Sequence, residues 1–195
     1  MAGRGARLFI SGLALAAAGC ASAPSRFYTL DPVATAGSVP AGHVSVMVGP
    51  VAVPAAVDQP QFVVQAAPNR VEVDEFNRWA APLQDSIARV VANDLTIQLG
   101  TPEVATTSLA NFSPAYRVTI EVLRFDSIRG QAADDEAVWT VIRMSDGSKQ
   151  SGRTDAREPV SDDSFGALAA AHSRAFAQVS ENIADAIRNT AAAQP

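Results

Sequence analysis

Residues 116–125 read Tyr-Arg-Val-Thr-Ile-Glu-Val-Leu-Arg-Phe, with Tyr116, Val118, Ile120 and Val122 alternating against Arg117, Thr119 and Glu121. Successive side chains of a strand point to opposite faces, so this period of two marks a half-buried strand with one apolar side. Such a strand cannot bury its apolar side alone, and the flanking sequence has to supply neighbours and a cover. Val138–Met144 is the expected antiparallel neighbour, with the acidic run Asp134-Asp135-Glu136 in the connection. Asp146-Gly147 is a turn signal, and Lys149–Arg157 then returns as a polar edge strand. The cover is a long helix from about Asp162 to Asn189, in which Phe165, Leu168, His172, Phe176, Val179, Ile183 and Ile187 recur every three or four residues. Ser161 is placed as its N-cap, with Asp162 and Asp163 at the positive end of the helix dipole. His172 lies on the apolar stripe and reads as a packed core histidine rather than a ligand.

Upstream, Phe27–Leu30 is a short strand-like run, and residues 31–42 hold Pro and Gly without periodicity, as a loop does. His43–Val53 alternates through Val44, Val46 and Val48 and stops at Pro54. Gln61–Ala66 and Arg70–Phe76 flank Ala67-Pro68-Asn69 and predict a hairpin, its second arm alternating Val71 and Val73 with Glu72 and Asp74. From Pro82 the period changes to that of a helix, with Leu83, Ile87, Val90, Val91 and Leu95 on one face. Pro82 suits its first position and Gly100 its end. These elements define an α/β chain of the α+β kind. We expect a single domain in which two long helices pack on a mixed, mostly antiparallel sheet of about five to six strands.

The whole chain has 195 residues, 48% hydrophobic and 18% charged, with 15 Lys+Arg against 20 Asp+Glu. That suffices for one core, and the acidic balance with Lys149 as sole lysine excludes broad binding to nucleic acid. One cysteine excludes an internal disulfide or a multi-thiolate zinc site, and His43 and His172 stand far apart. We therefore expect no metal, no cofactor and no catalytic residue.

The N-terminus is read as an address. Arg4 and Arg7 precede an apolar run, Leu8–Ala18, too short to span a bilayer, which ends in Ala17-Ala18-Gly19 before Cys20. A thiol after small residues resembles a bacterial lipobox, with Cys20 as the site of lipid attachment and residues 1–19 removed. Removal of Arg4 and Arg7 leaves 13 basic and 20 acidic side chains, a charge of −7. Ala21, rather than Asp, after the cysteine favours the outer membrane. We expect a signal peptide over 1–19, a lipidated tether over 20–26, and a folded domain over 27–192.

Several short stretches then occur in order. They are Phe27-Tyr28-Thr29-Leu30, Val48-Gly49-Pro50-Val51 with Val53-Pro54, and Asp58-Gln59-Pro60-Gln61-Phe62-Val63-Val64. Asn69-Arg70-Val71-Glu72-Val73 and Phe76-Asn77-Arg78-Trp79-Ala80-Ala81-Pro82-Leu83 follow. Over residues 27–100 this resembles the ABC-type transport auxiliary lipoprotein family, which includes the outer-membrane lipoprotein of the Pqi system; past Gly100 only the order of elements agrees. The resemblance implies a palmitoylated lipoprotein on the periplasmic face of the outer membrane. Its implied partners are an MCE-domain periplasmic protein and that protein's inner-membrane ABC transporter, in intermembrane lipid transport and envelope integrity. A homo-oligomer is compatible with that role.

Arg70, Arg78 and Trp79 form the candidate partner surface. Trp79 either packs the start of the first helix on the sheet or also faces a partner. Arg70 and Arg78 either form surface ion pairs with Glu72 or Asp74, or make a basic spot for a partner carboxylate or a lipid phosphate. Two other functions stay open: a cell-wall-binding lipoprotein that activates peptidoglycan synthesis, or another periplasmic binding module. A periplasmic hydrolase is disfavoured because no G-x-S-x-G occurs and His172 is expected in the core.

Overall fold

The alternating stretch becomes the hub of the sheet. In the computed structural model, which describes residues 23–37, 44–107 and 112–192, it forms strand β6, Tyr116–Ile128. The segment before the tether, Cys20 and His43 lie outside the described residues. The other strands are β1 (Arg26–Tyr28), β2 (Val46–Ala52), β3 (Gln61–Ala67), β4 (Arg70–Trp79), β5 (Val104–Ala105), β7 (Ala132–Arg143) and β8 (Lys149–Pro159). The helices are α1, Leu83–Leu99, and α2, Phe165–Ala192. One edge of β6 carries the antiparallel β7 and then β8. Its other edge pairs with β2 from Tyr116 to Glu121 and touches β3 at Ser127, both parallel. β5 extends β2, and β4 and β1 extend β3. The mixed α+β sheet with two helices is thus as expected, and it has eight strands because β5 and the three-residue β1 count as members.

Physical detail moves several boundaries. β6 runs beyond Phe125 because a bulge between Val122 and Arg124 absorbs one residue, so Val122, Phe125 and Ser127 all face the core. The acidic run Asp134-Asp135-Glu136 is not a connection: it lies within β7, and the turn before it is Arg129-Gly130-Gln131. Continuing the alternation of Val141, Trp139 and Ala137 backwards leads to Asp135 and Ala133, all buried. Strand geometry places an acid in the core there. α2 also starts later than expected. Ser164, not Ser161, caps it, its Oγ accepting from Ala167 N at 3.1 Å, while Asp162 accepts from Ser164 N. Pro82 occupies the N-cap position of α1 rather than its first turn, and Gly100 ends that helix in the left-handed region at φ 66°.

Both apolar helix stripes are buried, Ile87, Val90, Leu95, Leu168, Phe176 and Ile183 each at 0–1% exposure. Alanines 171, 175, 184 and 186 let α2 approach its neighbours closely. An aromatic cluster links the layers: Phe62 stacks on Trp79 at 4.1 Å and meets Phe165 of α2 edge-on at 5.2 Å. The segment after β1 is fastened to both helices. Arg89 of α1 donates to Leu30 O, Asp31 N donates to Ser173 of α2, and Ala34 N donates to the buried Asp94 carboxylate.

At the far edge, Trp139 lies opposite Gly152 in register and donates from Nε1 to Thr154 Oγ1 at 3.1 Å. A Cβ on residue 152 would fall within the contact shell of the Trp139 ring. Gly152→Ala should therefore destabilise the fold by about 1–3 kcal/mol, the usual cost of overpacking. Urea denaturation reads this, and an unchanged midpoint would contradict it.

Candidate functional site

The most organised polar group joins three elements inside the core. Ser127 Oγ of β6 lies 2.9 Å from His172 Nε2 of α2, and His172 Nδ1 lies 2.7 Å from Asp135 Oδ2 of β7. Serine, imidazole and carboxylate in series is the order of a nucleophilic triad. The three residues are only 1%, 0% and 1% exposed, however, and the imidazole lies flat on Phe125 at 3.8 Å with the rings 2° from parallel. Trp79 closes a further side at 6.2 Å. Among the described residues nothing opens a path to Ser127 Oγ, so the chain of hydrogen bonds acts as a strap between sheet and helix. Burial pushes the Asp135 carboxyl above the ordinary carboxylate range, while His172 beside it pulls the other way. His172 is thus a core histidine, as expected. Ser127 and Asp135 escape a reading in which the acidic run is a loop.

The predicted partner surface divides. Arg70 is exposed at the hairpin tip and pairs with Glu72 at 3.5 Å. Arg78 pairs with Glu75 at 3.6 Å, not with Glu72 or Asp74, and donates from Nε to Glu75 O. Asp74 instead accepts from Phe76 N, Asn77 N and Asn77 Nδ2, which hold its carboxyl below the ordinary range against a desolvation cost that opposes them. Trp79 is 5% exposed and belongs to the core, so the structure does not bring it together with the two arginines as one surface. Its partly open side borders a shallow groove lined by Asp58, Pro60, Ala81 and Pro82.

What sequence reading did not single out is the apolar surface around those arginines. Phe27, Val71, Val73 and Phe76 are exposed on β1 and β4. The expected alternation in β4 is present, but by register Glu72 and Asp74 lie opposite the core residues Val64 and Phe62, which puts Val71 and Val73 on the outer face. Elsewhere β6, β7 and β8 carry ion pairs, Arg124 with Asp134, Glu136 and Asp155, and Arg157 with Asp134, beside the exposed Leu123 of β6. Among the described residues no group of three or more His, Cys, Asp or Glu side chains is arranged to hold a metal.

One mixed sheet, two helices on one face and polar groups sealed within define a small α+β domain. The chain belongs to the ABC-type transport auxiliary lipoprotein component family, whose family model matches residues 28–184. The match extends well past Gly100, where short motifs fade and the fold persists as alternation and helical stripes. A solved protein from Xanthomonas campestris is 23% identical with a TM-score of 0.71, over 87% of this chain and 100% of that one. A second crystal structure, described as an uncharacterized protein, is 20% identical with a TM-score of 0.71, over 85% of this chain and 99% of that one. At these identities the likeness concerns the fold alone. No curated protein matches the sequence.

Proposed function

We propose that this chain is the lipid-anchored auxiliary subunit of an MCE-type ABC transporter, fixed through Cys20 to the periplasmic face of the outer membrane. It docks the periplasmic MCE-domain partner and carries out no chemistry itself. The family membership over residues 28–184, beginning shortly after a lone cysteine set behind small residues, is the observation that supports this reading most. The burial of Ser127, His172 and Asp135 supports the non-enzymatic part, because a nucleophile without access has no substrate. Affinity purification of the tagged chain from detergent-solubilised envelopes should recover an MCE-domain protein. Repeated recovery without one would remove the docking role. Sedimentation of the lipid-free domain with purified sacculi would favour a cell-wall-binding lipoprotein instead.

A further inference from the structure

We propose that the apolar strip along β1 and β4 rests on the lipid surface itself, so that the anchored domain is held in one orientation with its β3–β4 hairpin at the membrane. This rests on the reading of Cys20 as the lipid-bearing residue and adds a second contact to it. Phe27, Val71, Phe76 and Val73 are 64%, 57%, 46% and 45% exposed and occupy two adjoining strands at one end of the sheet. Register places most of them on one face: Val73 pairs with Val63, Arg78 with Gln61 two residues away on β3, and Phe27 with Arg78. That is the face turned away from the core residues Phe62 and Tyr28, and gathered apolar side chains there mark a contact surface.

Chain length and direction choose the occupant. β1 runs parallel to β4, so its first residue, Arg26, marks the end of β1 nearer Arg70 and the hairpin turn. Cys20 is six residues before Arg26, and six extended residues reach roughly 20 Å at most. Arg70–Phe76 covers about the same length of strand, at some 3.3 Å per residue. Among the described residues β1 pairs only with Asn77–Trp79, which leaves that stretch of β4 with an open outer edge. β1 cannot swing away on a loose linker. Tyr28 donates to Asn77 Oδ1 at 2.8 Å, and the segment that follows is tied to both helices. A bilayer holding the Cys20 lipids therefore lies within reach of the strip.

The charges suit that surface. Arg26, Arg70 and Arg78 flank the strip; the Arg70–Glu72 pair is long and solvent-exposed, so that guanidinium is free to turn to a phosphate while its stem lies on acyl chains, whereas Arg78 is held through Nε by Glu75 O. Asp74 is already occupied by the Asn77 and Phe76 amides.

The test uses the full lipidated chain in vesicles of phosphatidylethanolamine and phosphatidylglycerol. With Cys20 consumed by lipid, single cysteines placed by Val73→Cys, Phe76→Cys and Ser151→Cys accept an environment-sensitive dye, all three sites being exposed. The proposal expects blue-shifted emission at 73 and 76, quenched by head-group nitroxides, and water-like emission at 151. Water-like emission at all three in vesicle-bound protein would overturn it while leaving the anchor intact. Protein that never associates with the vesicles would overturn the anchor and the proposal together. Dyes at 73 and 76 shielded only after an MCE-domain protein is added would assign the strip to that partner and also overturn it.

Discussion

His172→Leu should cost roughly 3–5 kcal/mol of stability, although leucine matches the stripe on which residue 172 lies. Leucine removes the hydrogen-bond partner of the Asp135 carboxylate, which is 1% exposed, and of Ser127, which is also 1% exposed. A buried charge left without its partner costs more than the lost pair was worth, so the penalty should be concentrated in Asp135. Removing both members tests this: Asp135→Ala with His172→Leu should be markedly less destabilised than His172→Leu alone, a coupling that a double-mutant cycle measures. Additive losses would mean that the two groups do not act as a unit.

The same variant has a pH signature. In the native chain burial raises the Asp135 pKa and His172 lowers it. In His172→Leu the lowering influence is gone, so the carboxyl titrates higher still. A group whose folded pKa exceeds its unfolded value gains relative stability as pH falls through the folded pKa. The deficit of His172→Leu against the native chain should therefore shrink on acidification, as the carboxyl takes up its proton, and grow to a plateau as pH rises. A deficit constant with pH would point to lost packing against Phe125 and Trp79 alone.

The parts of this fold that were legible in the sequence are those where one period governs a whole element. Tyr116–Val122 and the stripe from Phe165 to Ile187 state their buried faces directly, and the structure buries each named position. The hairpin turn at Pro68-Asn69 was readable because its chemistry is local, with Asn69 at φ 61°. Illegible features depend on distant contacts. Asp135 looks like loop polarity until His172, 37 residues on, supplies the partner that makes its burial tolerable. β5 has two residues and no pattern of its own; it exists because Val46 and Met47 offer it an edge. Trp79 admitted two readings in sequence, packing the start of the first helix on the sheet or also facing a partner, and the structure sets Phe62 and Phe125 against it. The exposed face of β4 is invisible in sequence for a simple reason. Alternation states that two faces differ, but only the register with β3 decides which is covered.

Cys20→Ala should move the protein from the membrane to the soluble fraction, the largest change in behaviour expected of any single substitution. Each buried methylene contributes about 0.8 kcal/mol, so one acyl chain holds a protein marginally and two hold it firmly. With residues 1–19 removed as proposed, a side-chain charge of −7 opposes adsorption to anionic lipid, and among the described residues no helix is long and apolar enough to cross a membrane. The strip of Phe27, Val71, Val73 and Phe76 orients a domain already held at the surface. Four partly exposed side chains do not retain one that is free to diffuse. Fractionation with a carbonate wash measures the outcome, and intact mass separates the two ways in which it can fail. A variant that stays with the membrane and keeps residues 1–19 is held by an uncleaved Leu8–Ala18 segment, whereas one that stays there after losing them would show that the anchor is not at Cys20. The native chain should carry a mass increment of lipid on a peptide beginning at that residue.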